Sequence, residues 1–176
     1  MNIGLWAGFF TQTDVGFFQL FSITSSNLRE GILAGVTLSL LGFLFDSLAV
    51  KTNNRVIEQI NSQTVDYSLF LLGKRPNMIA AVTISAVLAI GAAVSEEIFF
   101  RGFTQKFLTE ISSSPILALF ISSGIFGIAH APLDYPNVIL ESILGGAFGV
   151  AYIISGFNIS VPIIAHIIYV SFSRLK

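Results

Sequence analysis

Residues 78–101 read MIAAVTISAVLAIGAAVSEEIFFR, and this stretch decides the fold. From Met78 to Ser95 it carries no charge, close to the roughly 20 apolar residues that a helix needs to cross the ~30 Å hydrocarbon core of a bilayer. It then runs without a turn residue into Glu96, Glu97 and Arg101, so the helix is expected to continue to about Glu110. At 1.5 Å per residue a continuous helix from Met78 to Glu110 would be about 50 Å long. It must tilt, protrude or break, and Gly91 is the expected weak point.

Working outward, similar apolar stretches recur. Gly31–Val50 carries one charge, Asp46; Pro115–Ala131 holds one His and stops at Pro132, which cannot continue a helix. Val138–Ser155 holds Glu141, and Ile159–Phe172 holds Pro162 and His166. These are five spans. The first 23 residues are aromatic-rich but interrupted by Thr11, Gln12, Thr13 and Asp14, which suits an interfacial helix or a poor sixth span. Between Lys51 and Arg75 the chain turns polar, with Val56, Ile57, Ile60, Leu69, Leu71 and Leu72 patterned for an amphipathic segment on the membrane surface. Ser112–Ser114, Leu133–Asn137 and Gly156–Asn158 read as tight turns that make sequential helices antiparallel neighbours. The fold class is therefore all-α, a polytopic transmembrane bundle of five to six spans. Residues 1–77 form an N-terminal membrane-associated and transmembrane region, and residues 78–176 form the core.

Composition agrees. Of 176 residues, 53% are hydrophobic and 11% charged, against about 45–50% and about 25% in soluble domains. Nine Lys and Arg against ten Asp and Glu leave a net charge of −1, too little positive field to hold a nucleic-acid backbone. The absence of cysteine removes disulfides, thiolate metal sites and a cysteine nucleophile. No charged-then-apolar leader with a small-residue cleavage site is read at the start. The expected setting is that of a multi-pass membrane protein, with membrane lipid as a partner. Gly31 with Gly35, and Gly145 with Gly146 and Gly149, are spaced to let helix backbones approach and read as packing seams.

Ionisable residues inside a membrane are costly and tend to face a bundle interior, so each is a candidate for function. They are Glu96, Glu97, Arg101, His130, Glu141 and His166. Glu97 and Arg101 are four apart on one helix face and can pair, whereas Glu96 points about 100° away from Glu97. If Ser112–Ser114 is a hairpin tip, Ser113 lies 17 residues after Glu96 and 17 before His130. Equal distances along antiparallel helices mean equal depth, so Glu96 and His130 should meet. His166 is eight residues past Asn158, about 12 Å into its own span. Glu141, near the start of its span, is expected to reach the interface and stand outside the site. A carboxylate beside neutral imidazoles suits general-base work on water, with a His also able to address a developing oxyanion. Two His and a Glu equally suit a catalytic divalent metal such as zinc, and the sequence leaves open whether the water is bare or metal-bound.

At these residues the sequence resembles the membrane-embedded CAAX prenyl endopeptidases and bacteriocin-processing proteases, the CPBP or abortive-infection family. Its Glu-Glu-x-x-x-Arg motif is matched by Glu96-Glu97-Ile98-Phe99-Phe100-Arg101, and its Phe-x-x-x-His motif by Phe126-Gly127-Ile128-Ala129-His130. A third motif, His followed four residues later by Asn or Asp, is matched at His166 only, since the fourth neighbour is Val170. The resemblance covers about Met78–Phe172 and implies a four-helix catalytic core. It also implies an intramembrane endopeptidase in which Glu96 with His130 activates water, Glu97 and Arg101 buttress the site, and His166 helps hold the oxyanion. Val170 opens the alternative of a catalytically weakened relative acting as a membrane protein-binding, maturation or immunity factor. A small transporter would also place Glu and His at depth, but it calls for inverted repeats that the sequence does not show.

Overall fold

The computed structural model describes residues 22–51, 78–130 and 135–173. The aromatic stretch before Ser22 and the amphipathic segment expected between Lys51 and Arg75 therefore lie outside the described residues. Those described are all helical, with no strand among them. Helix α1 is Ser25–Lys51, opened by Thr24, whose hydroxyl accepts from the Asn27 backbone N–H at 3.2 Å as an N-cap does. Helix α2, Met78–Glu97, leads directly into a π-helical segment, Ile98–Gln105, and then into α3, Lys106–Ser112.

The long run thus continues past Arg101 as expected, but its irregularity is not at Gly91, which sits inside α2. It falls at the polar residues instead. Glu97, Arg101 and Gln105 are each 0% exposed and must all face inward. Eight residues of α-helix would carry Gln105 about 80° round from Glu97, and a wider i→i+5 turn rotates less per residue. The π-helical turns hold the three polar groups towards the bundle interior.

Ser113 adopts the left-handed conformation (φ 53°) and ends α3; Ser114 then caps α4, Pro115–Ala129, accepting from Leu117 N at 3.3 Å with Pro at the first turn. The hairpin tip falls where the depth argument needs it. Helix α5 is Tyr135–Ile154, beginning three residues before Val138 because Tyr135 and Pro136 open a helix rather than belong to a turn. Gly156 and Phe157, at φ 68° and 64°, turn the chain into α6, Ser160–Ser173.

Close backbone approaches hold the bundle together. Helix α1 runs parallel to α6, with Gly31 against Ile164 and Val161, and Gly35 against Ile168 and Ala165. Helix α4 runs antiparallel to α5, with Gly127 against Val138 and Ser142, Phe126 against Gly145 and Leu119 against Gly149. Both glycine seams are packing seams. A Cβ on Gly127 would lie 2.0 Å from Ser142 Oγ and 2.4 Å from the Val138 carbonyl oxygen, whereas one on Gly91 would meet nothing within 4 Å. Gly127→Ala is accordingly expected to lower stability by about 2 kcal/mol, in the range for overpacking. Gly91→Ala is expected to raise it by about 0.5–1 kcal/mol through helix propensity. Thermal unfolding of the two variants in the same detergent checks the pair.

The apolar residues point the wrong way for a protein in water. Phe120 and Ile154 are 71% and 77% exposed, and Leu33, Leu40, Ile116, Ile128, Ile139 and Ile143 are exposed with them, while Glu97, Arg101, Gln105 and His166 are buried. An apolar outside over a charged inside is the arrangement that lipid favours. Among the described residues one helix, Ser25–Leu44, is long and apolar enough to cross a bilayer, and Pro115–Ala129, Val138–Ile154 and Ser160–Phe172 are shorter apolar helices.

Candidate active site

Glu97 stands at the centre of the buried polar groups. Its Oε2 lies 3.2 Å from Arg101 Nε, and its Oε1 accepts from His166 Nδ1 at 2.9 Å. The i, i+4 spacing read from the sequence makes the first contact, and the approach of α6 to the end of α2 makes the second. Arg101 Nη2 donates to the Gly145 carbonyl at 2.8 Å, and its guanidinium lies 5.0 Å from the Phe126 ring centre. One helical turn on, Gln105 Nε2 donates to the Gly149 carbonyl at 3.2 Å. Two side chains four apart thus reach two glycine carbonyls four apart, and at Gly149 a Cβ would lie 2.8 Å from Gln105 Oε1.

The two imidazoles are oriented by their Nδ1 atoms. His130, at the C-terminal cap of α4, bonds through Nδ1 to the Phe126 carbonyl at 2.8 Å, and a carbonyl can only accept. The proton is therefore on Nδ1, and Nε2 of the neutral ring is a proton acceptor. His166 gives its Nδ1–H to the Glu97 carboxylate and stacks on Phe148 at 4.5 Å and 18°, so its Nε2 is likewise the ring's second functional nitrogen. Phe126 lies among these groups, 4.7 Å from the His130 ring, 6.5 Å from the His166 ring and edge-on to Phe100 at 4.8 Å. Gly145 provides the room for it.

Glu96, half-buried at the end of α2, interacts electrostatically with His166 and His130 and, beyond them, with Glu97 and Arg101. The structure therefore brings together Glu96, Glu97, Arg101, His130 and His166, the five residues singled out from the sequence. Glu141 departs from expectation. It was placed at the interface, yet it is half-buried and acts on His130 first, then on Glu96 and His166. The earlier start of α5 sets it six residues into the helix, about 9 Å from Tyr135, and the Gly127 contact draws its turn against α4. Gln105 was missed as well, although the regular spacing Glu97, Arg101, Gln105 signals it.

Val170 is half-buried on α6, one turn beyond His166. Ser171 is exposed and donates to the Ile167 carbonyl of its own helix at 2.7 Å, so it does not take the place of the Asn or Asp of the third motif. The donor types present, imidazole and carboxylate, are those of a zinc site. As placed, however, no three His, Asp or Glu side chains among the described residues are grouped to hold a metal ion.

The interior Glu/His cluster, held by an Arg–carboxylate pair, thus lies inside helices that are apolar on the outside. The model of the Rce1-like type II CAAX prenyl endopeptidases matches residues 77–172, and the chain belongs to that family. The family is one of membrane-embedded proteases, and the matched segment contains every residue of the cluster. No curated protein and no solved structure matches the chain at a significant level.

Proposed function

We propose that this protein is an intramembrane endopeptidase that hydrolyses a peptide bond of a membrane-associated protein or peptide. The observation that carries the reading is that Glu96 interacts electrostatically with two imidazoles whose Nδ1 atoms are each tied to a protein acceptor. In this reading a water between Glu96 and His130 gives a proton to the Glu96 carboxylate, with His130 Nε2 accepting a hydrogen bond from the water. Its oxygen attacks the scissile carbonyl carbon, and the proton then passes to the leaving amine. His166, when protonated at Nε2, donates to the oxyanion, while the carboxylate of Glu97 balances the charge of the imidazolium. Glu97 and Arg101 hold that ring in place and contact no reacting atom.

The exposed apolar faces meet membrane lipid, and the setting is a multi-pass protein of a bacterial plasma membrane or another internal membrane. Val170 favours a second reading, a weakened relative that binds a membrane partner, because it removes one polar group beside His166. Incubating the detergent-purified protein with a peptide library, wild type beside Glu96→Gln, separates the two. Cleavage by wild type alone supports the endopeptidase, and cleavage by neither supports the binding role.

A further inference from the structure

Helix α1 precedes the segment that the family model matches, yet it braces the helix that carries His166. Ile164 and Ile168 of α6 sit over Gly31 and Gly35, where a Cβ would lie 2.8 and 2.7 Å from their Cβ atoms. His166 is two residues from each, which sets it about 160° round α6 from that seam, on the side that meets Glu97. The seam presses α6 from behind, but apolar contact is non-directional and leaves the height of α6 along its axis to other groups. Hydrogen bonds at the start of α6 supply it. The Ser22 carbonyl, three residues before α1, accepts from Asn158 Nδ2 at 2.9 Å, from Ser160 Oγ at 3.2 Å and from Asn27 Nδ2 at 2.8 Å. Asn158 Nδ2 also donates to Ser22 Oγ at 3.0 Å. The other end of the Asn158 amide caps α6, its Oδ1 accepting from Ser160 N at 2.9 Å. Ser155 Oγ donates to the Asn158 carbonyl at 3.1 Å, so the turn from α5 is tied to the same residue. Asn158 and Ser160 are both buried.

We propose that Asn158 is a positioning residue for His166: its amide joins the start of α6 to the Ser22 carbonyl and thereby fixes the height at which the imidazole meets the Glu97 carboxylate. His166 is six residues past Ser160, about 9 Å along the same helix, so a shift at the cap is carried to the ring. A slide of α6 by about 1 Å tilts or lengthens the 2.9 Å bond from Nδ1 to Glu97, and hydrogen bonds weaken steeply as they bend. Without the Nδ2 donor, α6 keeps its apolar seam but loses the bonds that fix its register against α1. The effect on the ring stands by itself. The effect on turnover rests on the endopeptidase reading, in which His166 addresses the oxyanion.

The chain holds two histidines, so isotope-labelled histidine in the full-length, detergent-purified protein gives two imidazole NMR signals, assigned with a His130→Gln variant. In wild type the His166 Nδ1 proton is expected to exchange slowly with solvent. Asn158→Ala and Asn158→Asp are each expected to speed that exchange by about tenfold, what the loss of one hydrogen bond is worth, and to leave His130 unchanged. Asp keeps the capping oxygen and loses only the donor, so a residue that merely caps α6 would be rescued by it. Ser160→Ala removes one bond to Ser22 and leaves Asn158 in place. It is expected to move the same signal by a smaller amount, and it carries the test should the Asn158 variants fail to fold. For a cleaved peptide, kcat of Asn158→Asp is expected to fall about 10- to 100-fold with KM within about twofold, the mark of a misplaced group. A changed His166 signal in a chain that cleaves nothing upholds the positioning role and counts against the endopeptidase reading instead. A His166 proton that exchanges rapidly in wild type overturns the proposal, as does a His130 signal that moves as far as that of His166. So does a wild-type His166 signal in Asn158→Asp, or in Ser160→Ala where the Asn158 variants do not fold.

Discussion

Arg101→Met is expected to lower stability by about 3–5 kcal/mol, enough to leave much of the protein unfolded in detergent. The side chain is fully buried and its charge is matched by Glu97 at 3.2 Å, so the substitution strands a fully buried carboxylate. It also removes the bond to the Gly145 carbonyl that ties the π-helical segment to α5. The double substitution Arg101→Met with Glu97→Leu leaves no stranded charge and is expected to recover part of the loss, because a buried ion pair is worth far less than its broken half costs. His166 then loses the acceptor for its Nδ1, so the recovered protein should still be impaired in any activity that needs that ring. Chemical unfolding of wild type, the two single variants and the double variant gives the full cycle. Additive losses would mean that Glu97 and Arg101 do not act as a pair.

Val170→Asn is the second large effect, and it runs upward. Val170 stands one turn from His166 on the same face of α6, where the third motif of the family has an amide or a carboxylate. An oxyanion donor is typically worth about 10²–10³ in rate, and an amide added to a scaffold built without it should recover the lower part, about 10–100-fold in kcat with little change in KM. If the site does not hold an oxyanion, the new amide is a half-buried polar group without a partner, and it costs stability instead. Turnover and thermal unfolding of the variant beside wild type separate the outcomes. A stable Val170→Asn protein with no gain over a measurable wild-type rate contradicts the role assigned to His166.

The level of the site was legible in the sequence because it depends on counting along helices. Ser113 has a left-handed backbone and Ser114 caps the next helix, so the midpoint between Glu96 and His130 is a real hairpin tip. The pairing of Glu97 with Arg101 follows from a spacing of four. What escaped the sequence depends on contacts between helices that periodicity does not encode. Gly91 looked weak because glycine is a poor helix former, yet an unobstructed α-helix tolerates one glycine, and burying three polar groups along one run demands far more of the backbone. The apolar run that contains Glu141 starts at Val138, which sets this residue near the start of its span and outside the site. Its neighbours become visible only when Gly127 is found against Val138 and Ser142. The bond from Glu97 to His166 joins residues 69 apart and could not be read from either motif alone.

The proposed hydrolysis depends above all on Glu96, the base that activates water. The most direct measurement is kcat for one cleaved peptide with wild type and Glu96→Gln, each shown to share the same thermal unfolding midpoint. Because Glu96 is half-buried and the amide is nearly isosteric, the fold should survive the change. A loss of at least about 100-fold is expected, the lower end of what a general base contributes. A Glu96→Gln protein that cleaves within a few-fold of the wild-type rate would contradict it.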